Sequence, residues 1–264
     1  MPELPDLIYF ERYIDRHGLG HPIEQVHLYD ADQLLRDVSE TTLRRRLQGR
    51  SLDSTRRYGK YLFGEITGDG WLVLHFGMTG EPVVHFEDNR PDHTKLELEF
   101  DDGSRLSYVN VRKLGEIGLA ADPDDFADER DLGPDALSDQ LDPEAFTMLL
   151  VGRSGMLKTR LMDQSVIAGI GNVYSDEILF QNRLPPRVEI EDLDDDDLEE
   201  VGRTIRRVLE ECGDQFPTLE ELADRYLVTH RLDDGDGQCP QCGSEIERVD
   251  VGGRAAQYCP SCQQ

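Results

Sequence analysis

Four cysteines near the C-terminus have the type and spacing of a metal site. Cys239 and Cys242 form one Cys-x-x-Cys pair, Cys259 and Cys262 the other, with 16 residues between the pairs. Each two-residue spacer turns two sulfurs toward one point, and the stretch between is the length of a short hairpin that folds back to complete a four-sulfur shell. Two structural disulfides are the alternative. The chain opens MPELPDLIYF, with neither the basic head nor the apolar core of a secretory signal. A cytoplasmic, reducing compartment and a structural Zn2+ are therefore expected, and a module this small needs such a staple to fold. The fifth cysteine, Cys212, lies in a separate polar stretch and reads as an incidental thiol.

The opposite end carries a second candidate. Pro2 stands behind Met1 and is small enough for Met removal, which would expose a secondary amine. A free α-amino group titrates well below lysine, so more of it is neutral at working pH and able to form an imine. Glu3, next in the chain, could then move protons to and from a sugar ring oxygen. An ordinary start followed by a helix-preceding acid is the other reading of the tripeptide.

These groups need a scaffold, and the chain supplies two textures. A helix is expected over residues 5–14, where Leu7, Ile8, Tyr13 and Ile14 share a face and Pro5 suits a first turn. Short apolar or alternating runs follow at 62–66, 71–76, 82–86, 96–100 and 106–109, separated by Gly-Asp, Gly-Met-Thr-Gly and Asp-Asp-Gly breakers. Such a pattern predicts a β-sandwich or barrel. From about residue 140 the pattern is helical, at 143–151, 155–162, 173–181, 193–212 and 218–226, with a Gly-rich break at 168–172. A linker rich in Asp and Gly over 232–238 leads to the cysteines. The expected class is α+β with three domains: 1–128, 129–232 and 233–264.

No apolar run in the 264 residues approaches a membrane span. The formal charge of −27 argues against a polyanionic partner if taken alone, yet the acid is packed into runs such as 189–200 (EIEDLDDDDLEE), 122–131 and 233–236. Those runs read as solvated surface. Only Lys60, Lys95, Lys113 and Lys158 supply lysine, against 24 arginines. An acid-coated, lysine-poor surface suggests a halophilic source whose cytosol holds molar salt, where the Debye length is roughly 3 Å and self-repulsion is screened.

Three further positions stand out locally. Met78, within Gly77-Met-Thr-Gly80, is an apolar flexible side chain at a turn tip instead of in a core. Asn172 follows Gly169 and Gly171 where a helix begins, a place for either an anion on backbone N–H groups or a simple cap. Arg254 ends Val251-Gly-Gly-Arg254, a glycine turn presenting it at a hairpin tip.

Taken together, MPELPD, RRYGKYLFGEI, LVLHFGMTG, VNVRKLGEIGLA, LMDQSVIAGIGNVYSDEILF and CPQC with GGRAAQYCPSC resemble, in order and spacing, the formamidopyrimidine-DNA glycosylase and endonuclease VIII family of base-excision repair enzymes. The resemblance spans nearly the whole chain. It implies an N-terminal β-sandwich, a helical domain with a helix, two turns, helix element, and a C-terminal zinc finger, acting as a monomer on damaged double-stranded DNA. It further implies that Pro2 is the imine-forming nucleophile at C1′, Glu3 the proton-transfer acid, and Lys60 a contact to the lesion phosphate. Met78, Arg112 and Leu114 would fill the gap left by a flipped nucleotide, with Asn172 and Arg254 on phosphates. For Lys60 and Arg254 a solvent role, and for Leu114 core packing, are the alternatives.

The chain departs from the family in two places. Leu114 stands where relatives carry Phe, and residues 217–230 read as one helix and a short linker where the oxidised-guanine enzymes have a long Gly-rich loop, so 8-oxoguanine preference does not carry over. The expected function is a bifunctional DNA glycosylase and abasic-site lyase. A catalytically silent damaged-DNA-binding protein needs neither Pro2 nor Glu3, and a zinc-ribbon nucleic-acid-binding protein leaves the Met78 turn unexplained.

Overall fold

The computed structural model describes residues 1–86, 89–233 and 235–264. Asp234, inside the expected linker over 232–238 and the acidic run 233–236, lies outside the described residues. The chain divides into two compact units, Met1–Pro2 with Asp6–Asp131 and Glu3–Pro5 with Leu132–Gln264.

In the first unit α1 (Leu4–His17) precedes β1 (Ile23–Leu28), α2 (Glu40–Leu47), β2 (Leu52–Tyr58), β3 (Tyr61–Ile66), β4 (Trp71–His75), β5 (Gly80–Phe86), β6 (Thr94–Phe100), β7 (Ser104–Asn110), β8 (Glu116–Ala120) and α3 (Pro123–Glu129). The strands form two antiparallel sheets, ordered β1-β6-β7-β5 and β2-β3-β4-β8. Alternation explains the first. In β6 (TKLELEF), Leu96, Leu98 and Phe100 point to the core while Lys95, Glu97 and Glu99 take the other face. Leu62, Leu72 and Leu74 of the second sheet join that same core, as do Leu7, Phe10 and Ile14 of α1. The expected sandwich is present, and each fully buried Leu or Phe contributes roughly 1.5–3 kcal/mol relative to exposure. Three of the four sheet-edge strands, β1, β2 and β8, were not legible as runs, whereas the fourth, β5, was expected at 82–86. An edge strand such as LDSTRRY keeps most of its side chains half-exposed, so it lacks an apolar signature.

The end of β4 is welded to the end of β7. Tyr108 Oη donates to the His75 carbonyl at 2.9 Å, and Asn110 Nδ2 donates to the Phe76 carbonyl at 3.1 Å and to Tyr108 Oη at 2.8 Å. Gly115 lies against this weld: a Cβ there would fall 1.9 Å from Tyr108 Oη and 2.3 Å from the His75 carbonyl.

The second unit holds α4 (Pro143–Leu150), α5 (Leu157–Leu161), α6 (Asn172–Gln181), α7 (Asp195–Gln215) and the hairpin β9 (Glu247–Val251) and β10 (Arg254–Tyr258). Asp142 caps α4 with Pro143 at its first position, and a reciprocal Asp194/Asp197 capping box starts α7. Between α5 and α6 run two successive turns, closed by the Gln164 side chain, which bonds the carbonyls of Met162 and Ile170 and the Gly169 N–H. This is the helix, two turns, helix element. The helix expected over 218–226 is instead two 3-10 turns, Glu220–Leu222 and Leu227–His230. So short a stretch gains little from helix cooperativity, and Leu219 at φ +53° breaks its first turn.

Gly115→Ala should lose at least about 2 kcal/mol of stability, since the weld must open to admit the methyl group. Urea unfolding measures it, and parent-like stability would mean that the Tyr108–Asn110 cluster yields without cost.

Candidate active site

Glu3 is the most constrained of the proposed residues. Although acidic, it is 1% exposed. Its carboxylate sits on the first turn of α6: Oε2 accepts from the N–H groups of Gly171 (2.8 Å) and Tyr174 (3.2 Å), and Oε1 from that of Val173 (2.9 Å). Those amides lack partners inside the helix, and the helix dipole favours a negative charge there. The backbone closes the same junction, Leu4 N–H donating to the Gly169 carbonyl at 3.1 Å. Gly169 has to be glycine: its φ is +117°, and a Cβ would lie 2.6 Å from Leu4 Cδ1.

This arrangement fills the anion seat expected at the start of α6. The anion seat at the start of α6 exists, but Glu3 occupies it, so these amides are not offered to a phosphate. Nor is Asn172 a cap; Gly171 holds that position. The Asn172 side chain instead donates through Nδ2 to the Ala255 carbonyl at 3.0 Å, the residue after Arg254. Arg254 itself is exposed at the start of β10, beyond Gly252 (φ +59°) and Gly253 (φ +77°).

In the first unit the expected contacts collect at one end of the second sheet. Gly59 and Lys60 form the two-residue turn between β2 and β3, Gly59 at φ +55°. The register sets Tyr61 opposite His75 and His75 opposite Glu116, so the Lys60 turn adjoins the strand end that leads to Met78. Met78 is 40% and Leu114 51% exposed, which removes core packing as an account of Leu114. Their two loops touch through Gly77, whose Cβ would fall 2.5 Å from Leu114 backbone, and through Arg112 N–H, which donates to Thr79 Oγ1 at 3.2 Å. Lys113, at φ +51°, pairs with Asp30, while Arg112 on its other side is exposed.

Sequence reasoning passed over His75. Burial above all, then the nearby charges of Lys60 and Arg130, pushes its imidazole down to about 4. Gly77 N–H donates to Nδ1 at 3.3 Å, which puts the proton of the neutral ring on Nε2. A neutral N–H donor beside a lysine is an apt partner for phosphate oxygen. The signal was present in LHFGMTG, three residues before Met78.

The four cysteine sulfurs lie within 4.8 Å of one another, with Cys239 to Cys262 at 3.8 Å and Cys242 to Cys259 at 3.5 Å. A tetrahedron around zinc with bonds of about 2.3 Å has edges of about 3.8 Å, so the residues fit a structural Zn2+. Gly243, at φ +73°, lets the first knuckle close through its N–H to the Cys239 carbonyl at 2.8 Å. Cys239, Ile246 and Cys259 pack with Phe180 of α6 and Leu227.

Three family models match the chain: Formamidopyrimidine-DNA glycosylase N-terminal domain over residues 1–117, Formamidopyrimidine-DNA glycosylase H2TH domain over 132–214, and Zinc finger found in FPG and IleRS over 238–264. The formamidopyrimidine-DNA glycosylase of Pelobacter propionicus is 33% identical over 270 residues, covering 100% of both proteins. Among solved structures, the Lactococcus lactis enzyme non-covalently bound to DNA containing an AP site is similar with a TM-score of 0.87 at 26% identity, over 99% of each chain. MutM in complex with DNA containing carbocyclic 8-oxo-G gives 0.88 at 26% identity over 100% of each.

The His75 ring makes a pH prediction. Unfolded it titrates near 6.5 and folded near 4, so between those values the unfolded chain binds the extra proton. The stability from keeping the ring neutral is complete above pH 6.5 and is lost as pH falls toward 4. His75→Asn, whose Oδ1 replaces Nδ1 as acceptor, should therefore lose roughly 2 kcal/mol less than the parent between about pH 7 and pH 4.5. Parallel stability curves in urea titrations would count against a neutral His75.

Proposed function

Because this chain belongs to the formamidopyrimidine-DNA glycosylase family, we propose that it excises oxidised bases from damaged double-stranded DNA and then cleaves the abasic site it has made. The observation that carries this reading is the Glu3 seat. Glu3 is covalently next to Pro2, and three amides fix where its carboxylate lies.

With Met1 removed, the neutral Pro2 nitrogen attacks C1′ of the damaged nucleotide. Glu3 takes the proton that the amine releases and passes it to the ring oxygen, the sugar opens, the C1′–base bond breaks, and an iminium joins Pro2 to C1′. Loss of a C2′ proton expels the 3′ phosphate, a second elimination expels the 5′ phosphate, and water frees Pro2. Lys60 and the neutral Nε2–H of His75 bind the lesion phosphate. Met78 and Leu114 fill the vacated stack, and Arg112 bonds the widowed base. Zinc, when bound, holds the hairpin that presents Arg254 to the backbone. Leu114 is smaller and stacks less well than an aromatic ring, which relaxes the demand on the opposite base. The compact 3-10 turns at 217–230 give no long cap over the base, and several oxidised pyrimidines and ring-opened purines should be accepted.

Borohydride added during turnover should trap enzyme and DNA as one covalent species. A form that retains Met1 buries the proline nitrogen in a peptide bond, and there the band should vanish while binding persists. Glu3→Gln should lose base excision on intact lesions yet keep part of its cutting of a pre-made abasic site, where no base has to be expelled. Full trapping by the Met1-retaining form would remove Pro2 from the mechanism.

We also assign the acidic, lysine-poor surface to a halophilic cytosol. Melting temperature should climb as KCl rises from dilute buffer toward molar concentration, because screening relieves self-repulsion. An unchanged melting temperature and full activity in dilute buffer would end that assignment.

A further inference from the structure

Beneath the first turn of α6 lies a buried charge cluster that the proposed chemistry does not use. Lys158 of α5 is 0% exposed and Asp176 of α6 is 2% exposed. Lys158 Nζ donates to Asp176 Oδ1 at 2.7 Å, to Ser175 Oγ at 2.7 Å and to the Asn172 carbonyl at 3.2 Å. The other oxygen, Asp176 Oδ2, accepts from Arg231 Nη1 at 2.8 Å and from the Gln257 N–H of β10 at 3.1 Å. One carboxylate thus ties together α5, α6, the segment entering the zinc finger, and the finger's second strand.

The spacing gives this cluster a purpose. Asn172 and Asp176 are four residues apart on α6 and so share a face. They hold alternate residues of β10, Asn172 the Ala255 carbonyl and Asp176 the Gln257 N–H. The hairpin is therefore fastened to the helix by two side chains that read its backbone at a two-residue period. Gln257 is fastened from the other side as well, its Oε1 accepting from the Leu232 N–H at 2.9 Å. A buried ion pair is poor value as a source of stability, since apolar replacements of similar volume are often as good or better. A pair retained at the junction of four segments is better explained by the geometry it enforces.

We propose that Asp176 is a positioning residue for DNA processing: it locks the zinc-finger hairpin, and with it Arg254, in register with the α6 turn that seats Glu3. The inference rests on the glycosylase reading for its consequence, and on the second unit alone for its geometry. Release of the hairpin from α6 should weaken capture of damaged DNA without changing the chemical step once DNA is bound.

Two variants of the zinc-loaded protein test it. Asp176→Asn keeps the shape and removes the charge. Lys158→Met with Asp176→Leu replaces the buried pair by apolar side chains, which restores folding stability if the single variant is poorly folded. Both should retain one zinc per chain, exchange the Gln257 amide hydrogen faster by at least about tenfold, and raise KM for an abasic-site duplex by about tenfold, the order expected for one charge-assisted hydrogen bond. In both, kcat should stay within about twofold of the parent, because Glu3 keeps its three amides. A parent-like KM in the stable double variant would overturn the proposal, as would a slow Gln257 amide in both. A fall in kcat with KM unchanged would also overturn it, placing the pair in the chemical step. If the parent itself processes no lesion, the glycosylase reading fails, and the exchange measurement still decides whether Asp176 holds the hairpin.

Discussion

The start of the second unit is organised around a carboxylate at residue 3 meeting the open end of a helix that begins at residue 172. Alone, a buried Glu would cost several kcal/mol. Three N–H donors and a helix dipole offset that cost and leave the side chain one orientation. Several features follow from this seat. Gly169 is glycine so that Leu4 can approach, Leu4 is bonded to the Gly169 carbonyl, and Gln164 staples the turns that deliver the amides. The family relationship fits this picture, because the segment that makes the seat is the same segment that identifies the helix, two turns, helix element.

The first unit solves a different problem, which is to keep polar and apolar side chains exposed at chosen points on rigid backbone. Met78, Arg112 and Leu114 stand exposed on two loops fixed by Tyr108, Asn110, Gly77 and Gly115.

Much of this was legible in the sequence because it depends on local rules. Cysteine spacing, the alternation of β6, the caps of α4 and α7 and the Gly-Gly hairpin tip are each written within a few residues. What was not legible depends on partners far away in the chain. The α6 amides looked like a phosphate seat because nothing local marks Glu3 as their occupant, and Asn172 looked like a cap because Ala255 is 83 residues on. His75 reads as any strand-end histidine until the register brings Lys60 beside it. Edge strands β1, β2 and β8 lacked an apolar pattern, and the stretch after α7 had helical composition but too few residues to hold a helix against the burial of Tyr226 and Leu227.

The separation of Glu3 from its seat also sets an order of events in time. Its amide partners lie 168 to 171 residues later, so on a ribosome adding roughly 5–20 residues per second the first residues stay undocked for on the order of ten seconds or more. During that interval the start of the chain is an open tail that a processing enzyme can reach. Once α6 forms, Glu3 is drawn under cover, while Met1 stays 46% exposed. Docking of the first residues therefore belongs to the end of synthesis, because their seat does not exist until the α6 amides have left the ribosome.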